Sequence, residues 1–288
     1  MTRNEFRLLH RLRVRWVEVD LQKIVFNGHY LMYFDTAMAD YWRALAIPYE
    51  DTMHQLGGDL YVKKASLEYH ASAQYDDRLD VGLRCERIGN SSIQFVGGIF
   101  CGDQLLITGE LLYVYANPNT KTSMPVPHVL RETMLGFEEG QTVTTLETGH
   151  WSTLKDKAQP VRTQVFVQEQ GIDAKDEWDA ADASAVHAVI TNRFGHPLGT
   201  ARLLEKSPGI AQIGRMAVVR VMRGSGLGRQ LLNALVDIAK ARGDKEVRLH
   251  AQCSVQAFYA REGFVPVGEP FDEVGIAHIE MRKVLALR

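Results

Sequence analysis

The sequence predicts an α+β chain of two domains, with an antiparallel sheet around one central helix followed by a mixed α/β domain. At 288 residues the chain is longer than one typical small domain. One long helix-like segment and then strand-like runs fill the first part, whereas strands and helices alternate in the second. A polar, threonine-rich segment separates the parts. We therefore expect domains at 1–135 and 149–288, joined by a linker at 136–148.

The first domain is expected to contain one buried helix and a sheet that wraps around it. Residues 14–19 have the composition of a strand, and residues 28–46 are mostly aromatic, aliphatic and small without a helix-breaking residue. Turn residues such as Asp76 and Gly102 separate the strand-like runs that follow. These runs are 60–74, 79–87, 92–101 and 104–116.

A glycine-rich turn is the most informative signal in the second domain. Residues 218–229 have the pattern of a strand end, a turn and the start of an amphipathic helix, with Gly224, Gly226 and Gly228 in the turn. Glycines let the backbone approach a ligand closely, and the first turn of a helix presents unpaired N–H groups to an anion. We interpret this segment as a phosphate cradle for a nucleotide-bearing cofactor. The alternative is an ordinary turn.

Two well-known phosphate loops do not match this segment. A Walker loop requires Gly-Lys-Ser/Thr, which is absent. The dinucleotide fingerprint requires a glycine where Arg229 stands and an acidic residue at the end of the next strand, 246–251. This sequence has neither. The turn instead resembles the Arg/Gln-x-x-Gly-x-Gly/Ala loop of the GNAT acyltransferase superfamily, carried by Arg223, Gly226 and Gly228. That resemblance implies acyl-CoA or acetyl-CoA as co-substrate.

Other segments resemble GNAT landmarks in the expected order. Residues 213–218 are similar to the central strand, and the apolar helical face that begins at Leu227 ends at Gly243. Residues 257–264 resemble the tyrosine-containing helix and Gly-Phe turn. The resemblance covers about 149–288, including 161–171 and 199–203. It assigns cofactor binding to Met216, Ala217, Val218, Arg223, Gly224, Ser225, Gly226, Leu227, Gly228, Arg229 and Gln252.

The resemblance also implies how such a domain transfers an acyl group to an amine. Tyr259 is expected to protonate the departing CoA thiolate, and Glu169 or His250 to accept the proton of the amine. The alternatives are that Glu169 is a solvated helix charge and that His250 is a satisfied strand residue. Residues 271–278 could line the pocket of the amine acceptor or form an edge strand.

The segment 20–30 in the first domain resembles the signature of the 4-hydroxybenzoyl-CoA thioesterase-like hot-dog family. In that family the aspartate matched by Asp20 is the catalytic carboxylate, acting as nucleophile or as base for water. Backbone N–H groups near Asn27 and Gly28 would polarise the thioester carbonyl. Lys23 stands where the family commonly has glycine. The alternative is that Asp20 merely caps a helix or faces water.

Hot-dog domains pair edge to edge, so the resemblance implies a homo-oligomer, with a dimer as the minimum. The formal net charge is −2 and the basic residues are spread along the chain, which argues against a nucleic-acid partner. No apolar run is long enough to span a membrane, and we expect a cytoplasmic protein. The three cysteines and ten histidines show no metal-binding spacing. We expect neither a disulfide nor a metal.

These observations predict a bifunctional enzyme that uses acyl-CoA in both domains, by thioester hydrolysis in the first and acyl transfer to an amine in the second. Two alternatives remain open. One domain could be catalytic while the other serves as an acyl-CoA-binding scaffold or sensor. The whole chain could also be a CoA-binding protein without catalytic activity.

Overall fold

The computed structural model describes residues 1–285 and divides them into two compact units. The first unit is Met1–Val143, and the second begins at Thr144. A helix that ends at Glu138 and a strand that begins at Thr144 leave only 139–143 between regular elements. The expected linker at 136–148 is therefore too long. Its threonine-rich end forms an edge strand instead, as the β-propensity of threonine favours.

The first unit consists of a five-stranded sheet and three helices. The strand order is β1-β3-β4-β5-β2, and all neighbours are antiparallel. The strands are β1 (Leu8–Arg13), β2 (Asp59–Tyr69), β3 (Arg78–Ile88), β4 (Ser92–Cys101) and β5 (Gln104–Ala116). The helices are α1 (Asn27–Ala44), α2 (Tyr49–Leu56) and α3 (His128–Glu138).

Helix α1 is the core of this unit, which confirms the predicted central helix. Phe34, on its buried face, is 0% exposed and lies against the middle of the sheet. Gly97 of β4 and Gly109 of β5 make that approach possible. A Cβ atom at these positions would lie 2.3 Å and 2.7 Å from the Phe34 ring. Together the helix and the wrapped sheet form a hot-dog fold.

The strand expected at 14–19 is wrong. The first strand ends at Arg13, and Trp16–Glu18 form a 3-10 turn. Glu18 accounts for the difference, because its buried carboxylate accepts hydrogen bonds from the backbone N–H of Arg15 at 2.6 Å and from its Nε at 2.8 Å. This local pairing replaces the sheet hydrogen bonds that the Val-Arg-Trp-Val-Glu-Val pattern suggested.

The second unit is a seven-stranded mixed sheet in the order β11-β12-β10-β9-β8-β7-β6. The strands are β6 (Thr144–His150), β7 (Val186–Asn192), β8 (Pro197–Ser207), β9 (Ile210–Val218), β10 (Glu246–Gln252), β11 (Val265–Glu273) and β12 (Ile276–Val284). The helices are α4 (Trp151–Arg162), α5 (Ala174–Glu177), α6 (Leu227–Arg242) and α7 (Gln256–Arg261), and a π-helical segment, Thr163–Glu169, continues α4. Among residues 1–285, no helix has both the length and the apolar character needed to cross a bilayer.

The parallel pair β9 and β10 separates part-way along its length. The pairing runs only from Ile210 opposite Glu246 to Ile213 opposite Leu249. Strand β9 then continues to Val218, with Arg215 at φ +50° beside a register shift in its pairing with β8. Such an irregularity bends a strand and twists it away from its neighbour. The opening between the two strands therefore leads to the turn that follows β9.

Candidate active sites

The turn between β9 and α6 lines a cavity of about 630 Å³ in the second unit. Gly224 and Gly226 have φ values of +86° and +87°, a left-handed conformation that glycine adopts without strain. Because Gly226 precedes α6 and has no side chain, the first N–H groups of that helix have no side-chain cap. The wall consists of Met216, Ala217, Val218, Met222, Arg223, Gly224, Ser225, Gly226, Leu227, Gly228, Arg229, Val255, Phe258, Tyr259 and Arg261.

This cavity contains nearly all the residues that the sequence assigned to cofactor binding. Within the cradle, Ser225 donates a hydrogen bond from Oγ to the carbonyl oxygen of Met222 at 2.6 Å, which fixes the turn. At Gly228 a Cβ atom would lie in van der Waals contact with the Met216 methyl group, at 3.4 Å, and with the Phe258 ring, at 3.6 Å. An uncapped helix start, left-handed glycines and lining arginines are suited to a phosphate-bearing ligand.

Tyr259 lies in the same cavity wall, on α7. Its ring packs against Phe258 and Phe264, with ring centroids at 4.9 Å and 6.1 Å. The hydroxyl lies 3.7 Å from Sδ of Met216 on β9. Burial raises the pKa of Tyr259 to about 12, so at neutral pH the phenol holds its proton. A protonated phenol beside the cradle can donate a proton to a leaving group.

Glu169 ends the π-helical segment and does not line this cavity. Both of its carboxylate oxygens accept hydrogen bonds from the guanidinium of Arg223, at 2.7 Å and 2.8 Å. These hydrogen bonds lower the pKa of Glu169. A carboxylate with a lowered pKa that is paired on both oxygens is a poor proton acceptor. The structure therefore argues against Glu169 as the base.

His250 and Gln252 also lie outside the cavity wall. Nδ1 of His250 is 2.9 Å from a carboxylate oxygen of Glu273, and its ring meets Phe271 edge-on. Gln252 donates a hydrogen bond from Nε2 to the side-chain oxygen of Gln170 at 3.0 Å. These contacts favour structural roles for both residues. Residues 271–278 form the end of β11, the turn and the start of β12, and β11 is one of the two edge strands of the sheet.

Sequence reasoning overlooked Phe258 and Arg261, which line the cavity from α7. Their closeness in sequence to Tyr259 was the signal that could have identified them. Phe258 is one position and Arg261 two positions from Tyr259, and on so short a helix all three side chains can reach the same end of the cavity.

A buried group of charged residues was also missed in the second unit. The Arg162 side chain is 1% exposed and is stacked between the rings of Trp151 and Trp178. It pairs with Glu177 and, at 2.8 Å, with Asp182. This group holds the segment after α4 against the sheet.

The second candidate site lies at the start of α1. Asp20 accepts a hydrogen bond at Oδ1 from the backbone N–H of Gln22 at 2.8 Å, and its backbone pairs with Ile24. Lys23 in this tight turn has φ +62°, which explains why glycine suits the same position in the family it resembles. The turn returns the chain to Phe26, whose side chain cannot cap the helix. The first N–H groups of α1, near Asn27 and Gly28, therefore have no side-chain acceptor there.

Large apolar side chains around this turn are exposed on the first unit. Leu21 is fully exposed, and Trp16 and Val17 are 72% and 75% exposed. Phe26 is exposed at the helix start, and Tyr75 packs edge-on against Trp16. An apolar surface of this kind beside a helix start is typical of a ligand-binding or subunit-binding region.

The comparisons with known proteins agree with the geometry of the second unit. Residues 155–285 match the family of acetyltransferase (GNAT) domains. YjcF of Bacillus subtilis, named as an uncharacterized N-acetyltransferase, is 33% identical over 124 residues, which are 43% of this chain and 87% of that relative. The chain belongs to the GNAT acetyltransferase family. Residues 22–114, ahead of the GNAT domain, match the thioesterase superfamily. The predicted order of the two domains is confirmed.

Two solved structures are similar to parts of the chain. An acyl-CoA N-acyltransferase from Pseudomonas aeruginosa is 34% identical, with a TM-score of 0.45, over 49% of this chain and 99% of its own. Slr0204 from Synechocystis, a 1,4-dihydroxy-2-naphthoyl-CoA thioesterase, is 18% identical, with a TM-score of 0.41. It matches 44% of this chain and 94% of its own.

The turn before the helix of the thioesterase-like domain depends on an ionised Glu18. Burial opposes ionisation, but hydrogen bonds from Arg15 outweigh it and lower the pKa of Glu18. A lowered pKa in the folded state stabilises the fold above the unfolded pKa, and this contribution is lost as pH falls through the folded pKa. We expect Glu18→Gln to lower the free energy of unfolding at pH 7 by about 1–3 kcal/mol.

The difference from wild type should narrow as pH falls below about 4, where the wild-type carboxylate also takes up a proton. Urea unfolding at a series of pH values measures this. A difference that stays constant from pH 7 to the acid limit of folding would show that the charge of Glu18 does not matter.

Proposed function

We propose that the chain is a bifunctional enzyme that uses acyl-CoA in both domains. The GNAT domain transfers the acyl group to an amine, and the thioesterase-like domain hydrolyses the thioester. The observation that carries the proposal is the cavity beside α6, where left-handed glycines, an uncapped helix start and a protonated Tyr259 lie together. Membership of the GNAT family supports the same cofactor.

In the GNAT domain, the cradle holds the phosphates of acyl-CoA while the thioester extends toward the opening between β9 and β10. The neutral amine attacks the thioester carbonyl carbon, a carbon–nitrogen bond forms, and the carbon–sulfur bond breaks. Tyr259 gives its phenolic proton to the departing thiolate and regains one from solvent. Because Glu169 is paired with Arg223, the proton of the amine leaves through water. Holding both reactants in place supplies much of the rate.

In the thioesterase-like domain, Asp20 is the catalytic carboxylate. It either attacks the thioester carbonyl, giving an acyl-aspartate anhydride that water then hydrolyses, or removes a proton from the water that attacks the carbonyl. In both cases the carbon–sulfur bond breaks and the CoA thiolate leaves and takes up a proton from solvent. The negative charge that develops on the carbonyl oxygen is stabilised by the N–H groups at the start of α1, near Asn27 and Gly28. The hydrogen bond from the N–H of Gln22 orients the Asp20 carboxylate in the ground state.

The chain assembles as a homo-oligomer through its first domain. Strand β2 is an edge of the five-stranded sheet, and an edge strand offers unpaired N–H and C=O groups to another chain. The exposed apolar residues around Asp20, including Leu21 and Trp16, support the same proposal.

Replacing Asp20 with asparagine keeps the shape of the side chain and removes its negative charge. We expect Asp20→Asn to lower thioester hydrolysis at least a hundredfold, because the variant has neither nucleophile nor base. Release of free CoA thiol from acyl-CoA substrates of graded chain length, without an amine, measures this activity. Amine acylation by the same preparation is the control and should stay unchanged. Hydrolysis at the wild-type rate would contradict the assignment.

The Tyr259→Phe variant removes only the hydroxyl group of the proposed acid. We expect its kcat for amine acylation to fall tenfold to a thousandfold while its affinity for CoA stays close to wild type. Steady-state rates with a panel of amines, together with calorimetric binding of CoA, measure the two effects. Phe258→Leu is the matched control variant, because it changes a neighbouring aromatic residue that has no proton to donate. If Tyr259→Phe acylates amines at full rate, another group is the acid.

Assembly can be measured directly by sedimentation velocity. We expect a species of at least two chains, which a proline in the middle of β2, Ala65→Pro, should dissociate because proline cannot donate a hydrogen bond from the open edge of the strand. The matched variant Ala65→Ser should remain associated. A wild-type chain that sediments as a monomer at micromolar concentration would contradict the proposal.

A further inference from the structure

Three arginines line the cradle cavity, and their surroundings differ. Arg223 and Arg229 belong to the turn and the first turn of α6, and Arg261 ends α7 on the opposite wall. A phosphate is held most strongly by a guanidinium whose charge is not already neutralised by a carboxylate. The partners of each arginine therefore indicate which one is free to bind a phosphate.

Arg223 donates three hydrogen bonds to protein groups. Its two terminal nitrogens donate to the two oxygens of Glu169, and its Nε donates to the carbonyl oxygen of Val218 at 3.1 Å. This bidentate geometry is the strong form of an arginine–carboxylate pair. The pair is neutral overall, and it joins the last residue of β9 to the last residue of the π-helical segment.

The residue after Glu169 makes the equivalent connection on the other side of the opening. Gln170 accepts a hydrogen bond from Gln252, the last residue of β10. Glu169 is thus linked through Arg223 to the end of β9, and Gln170 contacts the end of β10, the two strands that part after Ile213 and Leu249. Through these contacts the segment at Glu169 and Gln170 connects the two sides of the opening, and Arg223 provides the connection on the β9 side. A residue in this position fixes the geometry of the site.

Arg229 is also paired with a carboxylate. Its Nε donates to Oε1 of Glu262 at 2.7 Å, and the Glu262 side chain is only 12% exposed. Arg261 is different, since over the described range 1–285 no carboxylate forms an ion pair with it. It is an exposed residue two positions after Tyr259.

We propose that Arg261 supplies the cationic contact to a phosphate of the bound acyl-CoA, and that Arg223 is a positioning residue that acts through Glu169. This inference rests on the proposed use of acyl-CoA by the GNAT domain. It departs from the sequence-based assignment, in which Arg223 grips the pyrophosphate. The backbone N–H groups of the cradle and the Arg261 guanidinium then share the phosphate charge.

Calorimetric titration of the full chain with free CoA at several salt concentrations tests the proposal. Arg261→Gln should weaken CoA binding about tenfold and reduce its dependence on salt, because one charge–charge contact is lost. Arg223→Gln and Glu169→Gln should weaken CoA binding by the same factor as each other, and neither should change the salt dependence of CoA binding. The double variant should lose no more than either single variant, because the two residues act as one unit. Arg282→Gln, an exposed arginine outside the cavity, is the matched control.

Titration with 3′-dephospho-CoA distinguishes the two phosphate sources. If the effect of Arg261→Gln disappears with this probe, the contact is to the 3′-phosphate, and if it persists, the contact is to the pyrophosphate. Either result supports the proposal. Wild-type affinity of Arg261→Gln overturns it, as does tighter CoA binding by Glu169→Gln, which would show that Arg223 is a phosphate ligand held back by its partner. A wild-type chain that binds no CoA at all would instead refute the proposed function of the GNAT domain.

Discussion

The separation of β9 from β10 is the constraint on which the GNAT domain depends. The two parallel strands pair over four residues and then part, and β9, still paired with β8, runs on into the glycine turn. Parallel strands that stayed paired to their ends would fill this space with main-chain hydrogen bonds. Because they do not, an opening, a cradle and the buried Tyr259 lie around one cavity. The link from Glu169 through Arg223 to the end of β9, and the contact of Gln170 with the end of β10, fit the same arrangement.

The thioesterase-like domain depends on a different constraint, the close approach of α1 to its sheet. Gly97 and Gly109 leave room for Phe34, and this packing fixes where the helix begins. The turn held by Asp20 and Lys23 then returns the chain to that helix start. In both domains a tight turn with a left-handed residue precedes a helix without a side-chain cap. The two proposed sites therefore use the same physical means of binding negative charge.

Much of this architecture could be predicted from sequence, because it depends on local patterns. The α1 helix, the strands at 92–101 and 104–116 and the glycine turn are all signalled by composition and spacing within a few residues. The side-chain partners could not be predicted in this way. The Arg223–Glu169 pair joins residues 54 positions apart, and the Gln252–Gln170 contact joins residues 82 apart. Such pairs decide whether a charged residue is available for chemistry, and only the fold shows them.

The central claim is that each of the two domains binds a CoA thioester. The most direct test is the stoichiometry of binding of a non-hydrolysable acyl-CoA thioether to the full chain, measured by calorimetry and by native mass spectrometry. Two equivalents per chain are predicted, with one lost when the cradle is filled by Gly226→Val, a substitution at a left-handed position. One equivalent in the wild type, or none, would contradict the account.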